Sequence, residues 1–284
     1  MQRFLVAESE SPDDRAARRA HTGQSSGESY ADTLRQMAAG AEIILCQPAD
    51  AGQPGFSPEK LGAFDAVFLT GSPLHVYDDT PEVRRQLAFM RAVFASGTPS
   101  FGSCAGLQVA VAAAGGRVRA MPERMEAGFS RRIVATEAGR EHPLLAGRPA
   151  TWDAPAIHGD EVEELPEGAT LLAGNAVTRV QAVEIRHDKG VFWGVQYHPE
   201  LSLGEIAIAL RRQAARLVEA GLAEDEGEVE ERAGVIEALH GDPARRSLRW
   251  RLGVDGELAD TDARRTEIAN FLRALPTIDR RGAR

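Results

Sequence analysis

The stretch PSFGSCAGLQVAVAAAGG, residues 99–116, joins a short apolar strand to an alanine-rich helix and places a cysteine at the join. Cys104 has a glycine two residues away on each side, Gly102 and Gly106. Gly-x-nucleophile-x-Gly is the sequence form of a nucleophile elbow, a sharp and strained turn from strand to helix. The flanking glycines make room, because a Cβ atom there would collide with a neighbouring strand or helix. The stretch therefore predicts a strand–elbow–helix unit with Cys104 at its apex.

The elbow position also suits Cys104 to chemistry. A helix N-terminus favours a thiolate through its partial positive charge, and the free amide of Ala105 would point to a developing oxyanion. The alternative is that Cys104 is a small buried hydrophobe at a tight turn, as most free cysteines are. The pentapeptide alone leaves both interpretations open, because a catalytic thiolate also needs a base and a group that orients the base.

Short apolar strands alternate with helices through the first hundred residues. The predicted strands are RFLVAE (3–8), AEIILCQP (41–48) and FDAVFLTGSP (64–73). Residues 30–39 and 80–97 have helical spacing, the second helix starting with Thr80 as N-cap and Pro81 at its first position. The polar stretch 9–29 is expected to be a surface loop. This alternation predicts parallel βαβ units and a layered α/β fold that binds ligands at the carboxyl ends of its strands.

The pattern changes after residue 128. Short strands divided by turns continue to residue 200 and indicate a mixed or antiparallel edge on the same sheet. An amphipathic helix over 202–221 then closes a domain that we expect to span 1–221. Residues 222–284 are expected to form a helical C-terminal extension that begins in an acidic run. Its short helices must bury their apolar faces on the main domain or in a homo-oligomer contact.

Composition excludes several classes of protein. The 284 residues are 43 % hydrophobic and 26 % charged, which is typical of a globular chain. The formal charge of −9 disfavours nucleic acid as a partner. The only cysteines, Cys46 and Cys104, cannot form a disulfide framework, and we expect a cytoplasmic protein without a signal peptide or membrane partner. Neither a cofactor nor a metal ion is predicted.

The segment GVQYHPE, residues 194–200, contains a candidate base and its orienting group. His198 and Glu200 are two residues apart, so they lie on the same side of an extended chain. The carboxylate can then hold the imidazole tautomer while the other ring nitrogen faces a sulfur. His-Pro-Glu by itself is more often a surface turn. Because His198 lies 94 positions after Cys104, only the fold can bring the two together.

The motifs FGSCAGLQ and GVQYHPE together resemble the signatures of class I glutamine amidotransferases, enzymes that use Cys-His-Glu chemistry on the glutamine side chain. VFLTGSP resembles the strand-turn that completes the oxyanion hole of that family. IHGDEVEELPEGATLLA resembles a stretch of GMP synthase amidotransferase domains. The resemblance covers roughly residues 3–212 and implies a flavodoxin-like three-layer domain with a central, mostly parallel sheet.

The resemblance also implies roles for individual residues. Cys104 would be the nucleophile, His198 the general base and then acid, and Glu200 the orienting group. The turn at Gly71 and Ser72, with Ala105, would form the oxyanion hole, and Gln108, Ile157 and His158 would bind substrate, the last two through their backbone. For His158, a histidine packed in a loop is an equally good interpretation. Ile157 stands where that family usually has serine, so one substrate contact is expected to be missing.

Three functions remain open from the sequence. The first is a glutaminase that delivers ammonia to a separate synthase, because this sequence has no phosphate-binding loop. The second is a free-standing hydrolase of γ-glutamyl amides or peptides, which Ile157 favours. The third is a non-catalytic regulator, which the complete Cys-His-Glu set disfavours.

Overall fold

The computed structural model describes residues 1–53, 55–122 and 125–278. Its strands are β1 (Arg3–Ala7), β2 (Glu42–Cys46), β3 (Ala66–Leu69), β4 (Ser100–Ser103), β5 (Arg117–Ala120), β6 (Glu126–Ala135), β7 (Thr151–His158), β8 (Asp160–Glu164), β9 (Ala169–Gly174), β10 (Ala182–His187) and β11 (Gly190–Val195). Its helices are α1 (Pro12–Thr22), α2 (Ser26–Met37), α3 (Pro58–Leu61), α4 (Pro81–Ser96), α5 (Ala105–Ala113), α6 (Glu137–Glu141), α7 (Leu203–Arg212), α8 (Ala214–Glu219), α9 (Glu226–Gly241), α10 (Arg246–Leu252), α11 (Gly256–Ala259), α12 (Thr261–Arg264) and α13 (Thr266–Ala274), with a 3₁₀ turn at Pro143–Leu145.

Nine strands form one central sheet in the order β2-β1-β3-β4-β11-β10-β9-β6-β7. The strands from β2 to β11 in that order are parallel, whereas β10, β9, β6 and β7 pair antiparallel. The predicted α/β fold with a mostly parallel sheet and an antiparallel edge is therefore confirmed. The carboxyl ends of β1, β3, β4 and β11 lie side by side, which sets the place of the functional site.

Side chains alternate between the two faces of the sheet. Phe4, Phe68 and Phe101 pack on one face with α2 and α13, whereas Leu5, Leu69 and Phe192 pack on the other with α4 and α5. Successive residues of a strand point to opposite faces, so both layers of helices share one set of strands. The result is the predicted three-layer arrangement.

The C-terminal helices pack on the rest of the chain in two places. Helices α9 and α10 bury Val229, Ile236 and Leu248 in a cluster with α7 and Phe129 of β6. Helix α13 reaches the core under the sheet, where the ring of Phe271 lies 5.5 Å from that of Phe68 and 5.7 Å from that of Trp193. The division of the chain at residue 221 remains a proposal about domain organisation. The last residues of the predicted extension, 279–284, lie outside the described residues.

Two local expectations were wrong. The stretch 9–29 is mostly helix rather than loop, because Ser11 and Ser25 cap the N-termini of α1 and α2. The helix predicted over 202–221 is broken at Gln213 into α7 and α8. Strand β2 is the edge of the sheet and only half-buried, although Cys46 at its end is buried. Among the described residues, no helix combines the length and apolar composition needed to cross a bilayer.

Candidate active site

Cys104 occupies the turn between β4 and α5 in a strained backbone conformation. Its φ is 53° and its ψ is −113°, values that a residue with a side chain rarely adopts. The Cys104 N–H donates to the Val195 carbonyl at the end of β11 (2.9 Å), and the Gln108 N–H donates to the Cys104 carbonyl (3.1 Å). These bonds tie the turn to the neighbouring strand and to the first turn of α5. Cys104 therefore sits on the nucleophile elbow that the sequence predicts.

The glycines beside the elbow are required by close packing. A Cβ atom at Gly106 would lie 2.6 Å from the Leu69 carbonyl oxygen, and one at Gly102 would lie 2.8 Å from the Gly106 carbonyl carbon. Neither contact can be relieved by a rotamer change, because the opposing atoms belong to the backbone. Strand β3, strand β4 and helix α5 can approach this closely only with glycine at both positions.

The fold brings His198 and Glu200 to the sulfur. The His198 Nδ1 atom is 2.8 Å from the Glu200 Oε1 atom, and both side chains are buried. A Cβ atom placed on Gly71 would lie 2.8 Å from His198 Cε1 and 3.8 Å from Cys104 Cβ. The His198 ring and the Cys104 side chain therefore both pack against Gly71. The backbone N–H of His198 donates to the Pro155 carbonyl of β7 (2.8 Å), and this bond holds the turn after β11 in place.

The electrostatics of His198 favour its charged form. Burial alone would lower the pKa of the imidazole, but the Glu200 carboxylate and the Cys104 sulfur raise it to about 10. A histidine that stays protonated beside a sulfur can hold a thiolate by charge and hydrogen bonding. The arrangement is suited to a Cys–His ion pair oriented by Glu200.

The turn after β3 is held by hydrogen bonds of the Thr70 hydroxyl. The hydroxyl of Thr70 donates to the Gly71 carbonyl (3.1 Å) and accepts from the Ser9 N–H (3.0 Å). The N–H and C=O of a trans peptide point in opposite directions, so this bond turns the Ser72 N–H away from Thr70. The amide of Ala105 lies at the start of α5, directly after Cys104.

The other predicted substrate contacts lie on α5 and at the end of β7. The amide nitrogen of Gln108 is 3.3 Å from the Asp160 carbonyl and 3.2 Å from Gln196 Oε1, and Ile157 lines the same cleft. The His158 ring nitrogens contact the Asp160 carbonyl (2.9 Å) and Glu126 Oε2 (3.0 Å). Because both ring nitrogens are engaged within the protein, the His158 side chain has no ring nitrogen left for a ligand.

Sequence reasoning missed two sets of contacts that hold His158 and Asp160 in place beside the cleft. Glu126 is a buried carboxylate that accepts from five side chains: Ser130, His158, Asn175, Thr178 and Gln181. Burial opposes its ionisation, yet the bonds from His158, Asn175 and Ser130 lower the pKa of Glu126 to about 2. In addition, His75 Nδ1 (2.6 Å) and the Tyr77 hydroxyl (3.0 Å) contact the Asp160 carboxylate. No local sequence pattern predicts these contacts, because the partners are up to 85 positions apart in the chain.

All the predicted site residues except Ala105 line one cleft of about 490 Å³. A larger cavity of about 1080 Å³ lies between β6 and the C-terminal helices and contains none of them. We assign the site to the smaller cleft, because the reactive groups converge there. In the described parts of the chain, no group of three His, Cys, Asp or Glu residues could hold a metal ion.

Comparisons with known proteins agree with this arrangement. The model of the family "Glutamine amidotransferase class-I" matches residues 22–215. A gamma-glutamyl-L-1-hydroxyisopropylamide hydrolase from a Pseudomonas species is 39 % identical over 239 residues, which cover 82 % of this chain and 79 % of that protein. A glutamine-hydrolyzing GMP synthase from Thermomicrobium roseum is 34 % identical over 137 residues, 48 % of this chain but only 23 % of the synthase.

A solved structure shares the fold along nearly the whole chain. The crystal structure of a glutamine amidotransferase from Thermotoga maritima superposes with a TM-score of 0.65 at 14 % identity, covering 98 % of this chain and 99 % of that one. Its coverage includes most of the residues beyond 221 in the present chain.

Proposed function

This chain belongs to the class-I glutamine amidotransferase family, and from that premise we propose that it hydrolyses γ-glutamyl amides with Cys104 as nucleophile. The observation that carries the proposal is the convergence of Cys104, His198 and Glu200 in one cleft. The similarity to a γ-glutamyl amide hydrolase extends over 82 % of the chain, whereas that to a GMP synthase covers 48 % of it. The first comparison therefore favours an amide hydrolase over a subunit that serves a synthase.

The first half of the reaction forms a thioester. The Cys104 thiolate attacks the γ-carbonyl carbon, and the C=O electron pair moves onto oxygen, where the amides of Ser72 and Ala105 stabilise it. When the tetrahedral intermediate collapses, the C–N bond breaks and His198 gives its proton to the leaving nitrogen. Glu200 keeps the imidazole in the required orientation throughout.

The second half regenerates the thiolate. Neutral His198 takes a proton from water as the hydroxide oxygen attacks the thioester carbon, and the same two amides hold the oxyanion. Collapse breaks the C–S bond, releases glutamate and leaves the Cys104 thiolate beside protonated His198. The balance is one amide and one water converted to one carboxylic acid and one amine, with no change of oxidation state.

A second candidate is hydrolysis of glutamine to feed ammonia to a separate synthase. The similarity of about half the chain to glutamine-hydrolyzing GMP synthases supports it. The chemistry at Cys104 is the same, and only the leaving group differs. Comparing glutamine with substituted γ-glutamyl amides separates the two candidates.

The test measures hydrolysis of L-glutamine and of γ-L-glutamyl alkylamides by the wild-type protein, by Cys104→Ala and by Cys46→Ala. We expect the substituted amides to have the higher kcat/KM. Cys104→Ala should lose at least ~10³-fold of the activity, because removing the nucleophile abolishes the covalent route. Cys46→Ala is the matched control and should keep it. Wild-type turnover by Cys104→Ala would overturn the assignment, and a preference for glutamine would favour the second candidate.

A further inference from the structure

One wall of the catalytic cleft carries an arginine that the reaction above does not use. Arg216, in α8, lines the cleft together with Cys104 and His198. A Cβ atom placed on Gly159 would lie 2.5 Å from the Arg216 Nη2 atom and 3.4 Å from its Cζ atom. The guanidinium group therefore packs directly on the backbone of Gly159, although Arg216 as a whole is exposed.

The Gln108 side chain connects this wall to the elbow. Gln108 lies in the first turn of α5, and its backbone N–H donates to the Cys104 carbonyl (3.1 Å). Its side-chain amide donates to the carbonyl of Asp160 (3.3 Å), the residue after Gly159. One glutamine side chain thus spans the gap between the elbow helix and the wall. A γ-glutamyl group contains the same atoms from its γ-carbonyl to its α-carbon, so its α-carbon end reaches this wall when the γ-carbonyl is at Cys104.

The side chains of residues 157–160 offer no cation to a ligand. Ile157 is apolar, both ring nitrogens of His158 are engaged within the protein, and Asp160 is itself an acid. The α-carbon of a γ-glutamyl group carries a carboxylate, and a charged group that leaves water needs a partner of opposite charge. A carboxylate at this wall therefore requires a cation from another element.

Helix α8 supplies that cation. Among the described residues, three arginines line the cleft, namely Arg18, Arg212 and Arg216, and Arg18 pairs with Glu205 (3.2 Å). The guanidinium of Arg216 makes no hydrogen bond or ion pair with the part of the chain that the structure describes, and it is the one that lies against Gly159. A guanidinium without an acidic partner can receive a carboxylate through two parallel N–H···O bonds.

We infer that Arg216 is a specificity-determining residue that binds the α-carboxylate of the γ-glutamyl group. The inference rests on the proposed function and assigns the charge recognition of its substrate. It also accounts for Ile157, which provides no side-chain donor, because the Arg216 guanidinium supplies the donors instead. Arg216 lies one residue beyond 22–215, the segment matched by the family model.

The experiment compares γ-L-glutamyl propylamide with two analogues. N-propyl-4-aminobutanamide lacks the α-carboxylate, and N-propylglutaramate lacks the α-amino group. Arg216→Gln should lower kcat/KM for the propylamide and for N-propylglutaramate by roughly 30-fold, as expected for losing hydrogen bonds to a charged group. Most of this loss should appear in KM, because the contact is made equally before and during the reaction. The value for N-propyl-4-aminobutanamide should stay within about threefold, since it has no carboxylate to lose.

Two variants serve as controls. Arg212→Gln removes the same charge from the same cleft four residues away, and its kcat/KM values should stay within about threefold for all three compounds. Arg216→Lys keeps the charge but loses the planar pair of donors, so its loss should be smaller than that of Arg216→Gln.

Three results would overturn the inference. One is equal kcat/KM for the wild-type protein with and without the α-carboxylate on the substrate. Another is an equal loss on all three compounds in Arg216→Gln, which would assign Arg216 a general role in the structure. The third is an Arg212→Gln protein with the same losses as Arg216→Gln, which would assign the effect to the net charge of the cleft.

A binding measurement separates this inference from the proposed function. Calorimetry on Cys104→Ala, with and without Arg216→Gln, compares the propylamide with N-propyl-4-aminobutanamide. An Arg216-dependent preference of about tenfold for the compound with the carboxylate supports the site even if no substrate is hydrolysed. Equal affinities in the presence of Arg216 would contradict the inference.

Discussion

The residue that decides the chemistry of the cleft is His198, because its charge state links the sulfur to Glu200. A neutral His198 cannot hold a thiolate at Cys104, whereas a protonated one can. The charge of Glu200 is the largest single influence that raises the pKa of His198. At Cys46, burial and then the charge of Glu8 raise the pKa of the thiol far above the usual range. The two cysteines should therefore respond differently to alkylation.

We predict that Glu200→Gln moves the alkaline limit of the reaction to lower pH. The His198 pKa is about 10 in the folded protein, so its proton is retained below that pH and lost above it. Removing the Glu200 charge lowers this pKa, and the imidazolium should then be lost nearer its ordinary value of about 6.5. The measurement is the pH dependence of kcat/KM for hydrolysis of a γ-L-glutamyl amide, whose alkaline limb reports loss of the His198 proton. In a separate experiment, peptide mapping after iodoacetamide treatment should find the label on Cys104 rather than on Cys46.

His198→Ala provides the comparison for that experiment. It removes the proposed base itself, so its loss of kcat should exceed that of Glu200→Gln, which would weaken only the orientation of that base. If both variants lost activity equally, or if the profile of Glu200→Gln were unshifted, Glu200 would have a role other than supporting the charge of His198.

At the scale of the elements, the elbow works because β3, β4 and α5 approach more closely than side chains allow. Gly106 is in the first turn of α5, where the helix contacts the backbone of β3. The fixed position of Cys104 depends on this approach. A substitution that pushes α5 away from β3 should therefore lower kcat strongly, even if it adds only one methyl group.

We predict that Gly106→Ala is destabilising and inactivating although it is a small change. The new Cβ atom would lie 2.6 Å from the Leu69 carbonyl oxygen, which cannot move without shifting β3. The expected loss is about 1–3 kcal/mol in the free energy of unfolding, as for other overpacked sites, together with a fall in kcat. Denaturant unfolding and steady-state kinetics measure the two effects.

The matched control is Gly234→Ala in α9, where a Cβ atom meets nothing within 4 Å. Alanine is favoured over glycine in an open helical position by about 1 kcal/mol, so this variant should gain stability and keep its activity. A Gly106→Ala protein that behaved like Gly234→Ala would show that the close approach at the elbow is not needed.

At the scale of the whole molecule, the C-terminal helices supply part of the core beneath the sheet. Phe271 contacts Phe68, Phe101 and Trp193, each on a different strand. Nearby, Glu267 accepts from the Tyr197 hydroxyl (2.7 Å) and pairs with Arg148 (2.6 Å), and all three side chains are buried. Tyr197 immediately precedes His198, so this contact reaches the segment that carries the proposed base.

We predict that truncation after Gly221 gives an aggregating or unstable protein, because it removes the helices that fill part of the core beneath the sheet.

Phe271→Ala is the milder version of the same test. It should lower the free energy of unfolding by about 3–5 kcal/mol, since it empties a buried aromatic site. Trp250→Ala is the control, because Trp250 is 84 % exposed on α10. The measurements are denaturant unfolding and molecular mass in solution. A truncated protein with unchanged stability, mass and activity would refute this account, and a change of mass in a stable protein would indicate an oligomer contact.

The sequence by itself determined the elbow and the fold class. Gly102, Cys104 and Gly106 are close in the chain, and the alternation of strands and helices is a local property. Helix caps were equally local, and Thr80, Pro81 and Gly97 bound α4 as predicted. His198 and Glu200 could be identified as a pair because they are two residues apart in the chain. Their position beside Cys104 could be predicted only from the family resemblance.

Only the tertiary structure decided what surrounds the reactive groups. Glu10 and Ser26 lie in a stretch whose polar composition favoured a loop, yet burial between β1, β3 and α2 makes it part of the cleft. The hydrogen bonds around Glu126, the contact of Asp160 with His75, and the burial of Phe271 also join residues far apart in the chain. Such contacts depend on which strands become neighbours in the sheet. Strand order produces no periodic pattern in the sequence of either strand, so these contacts cannot be predicted from local sequence.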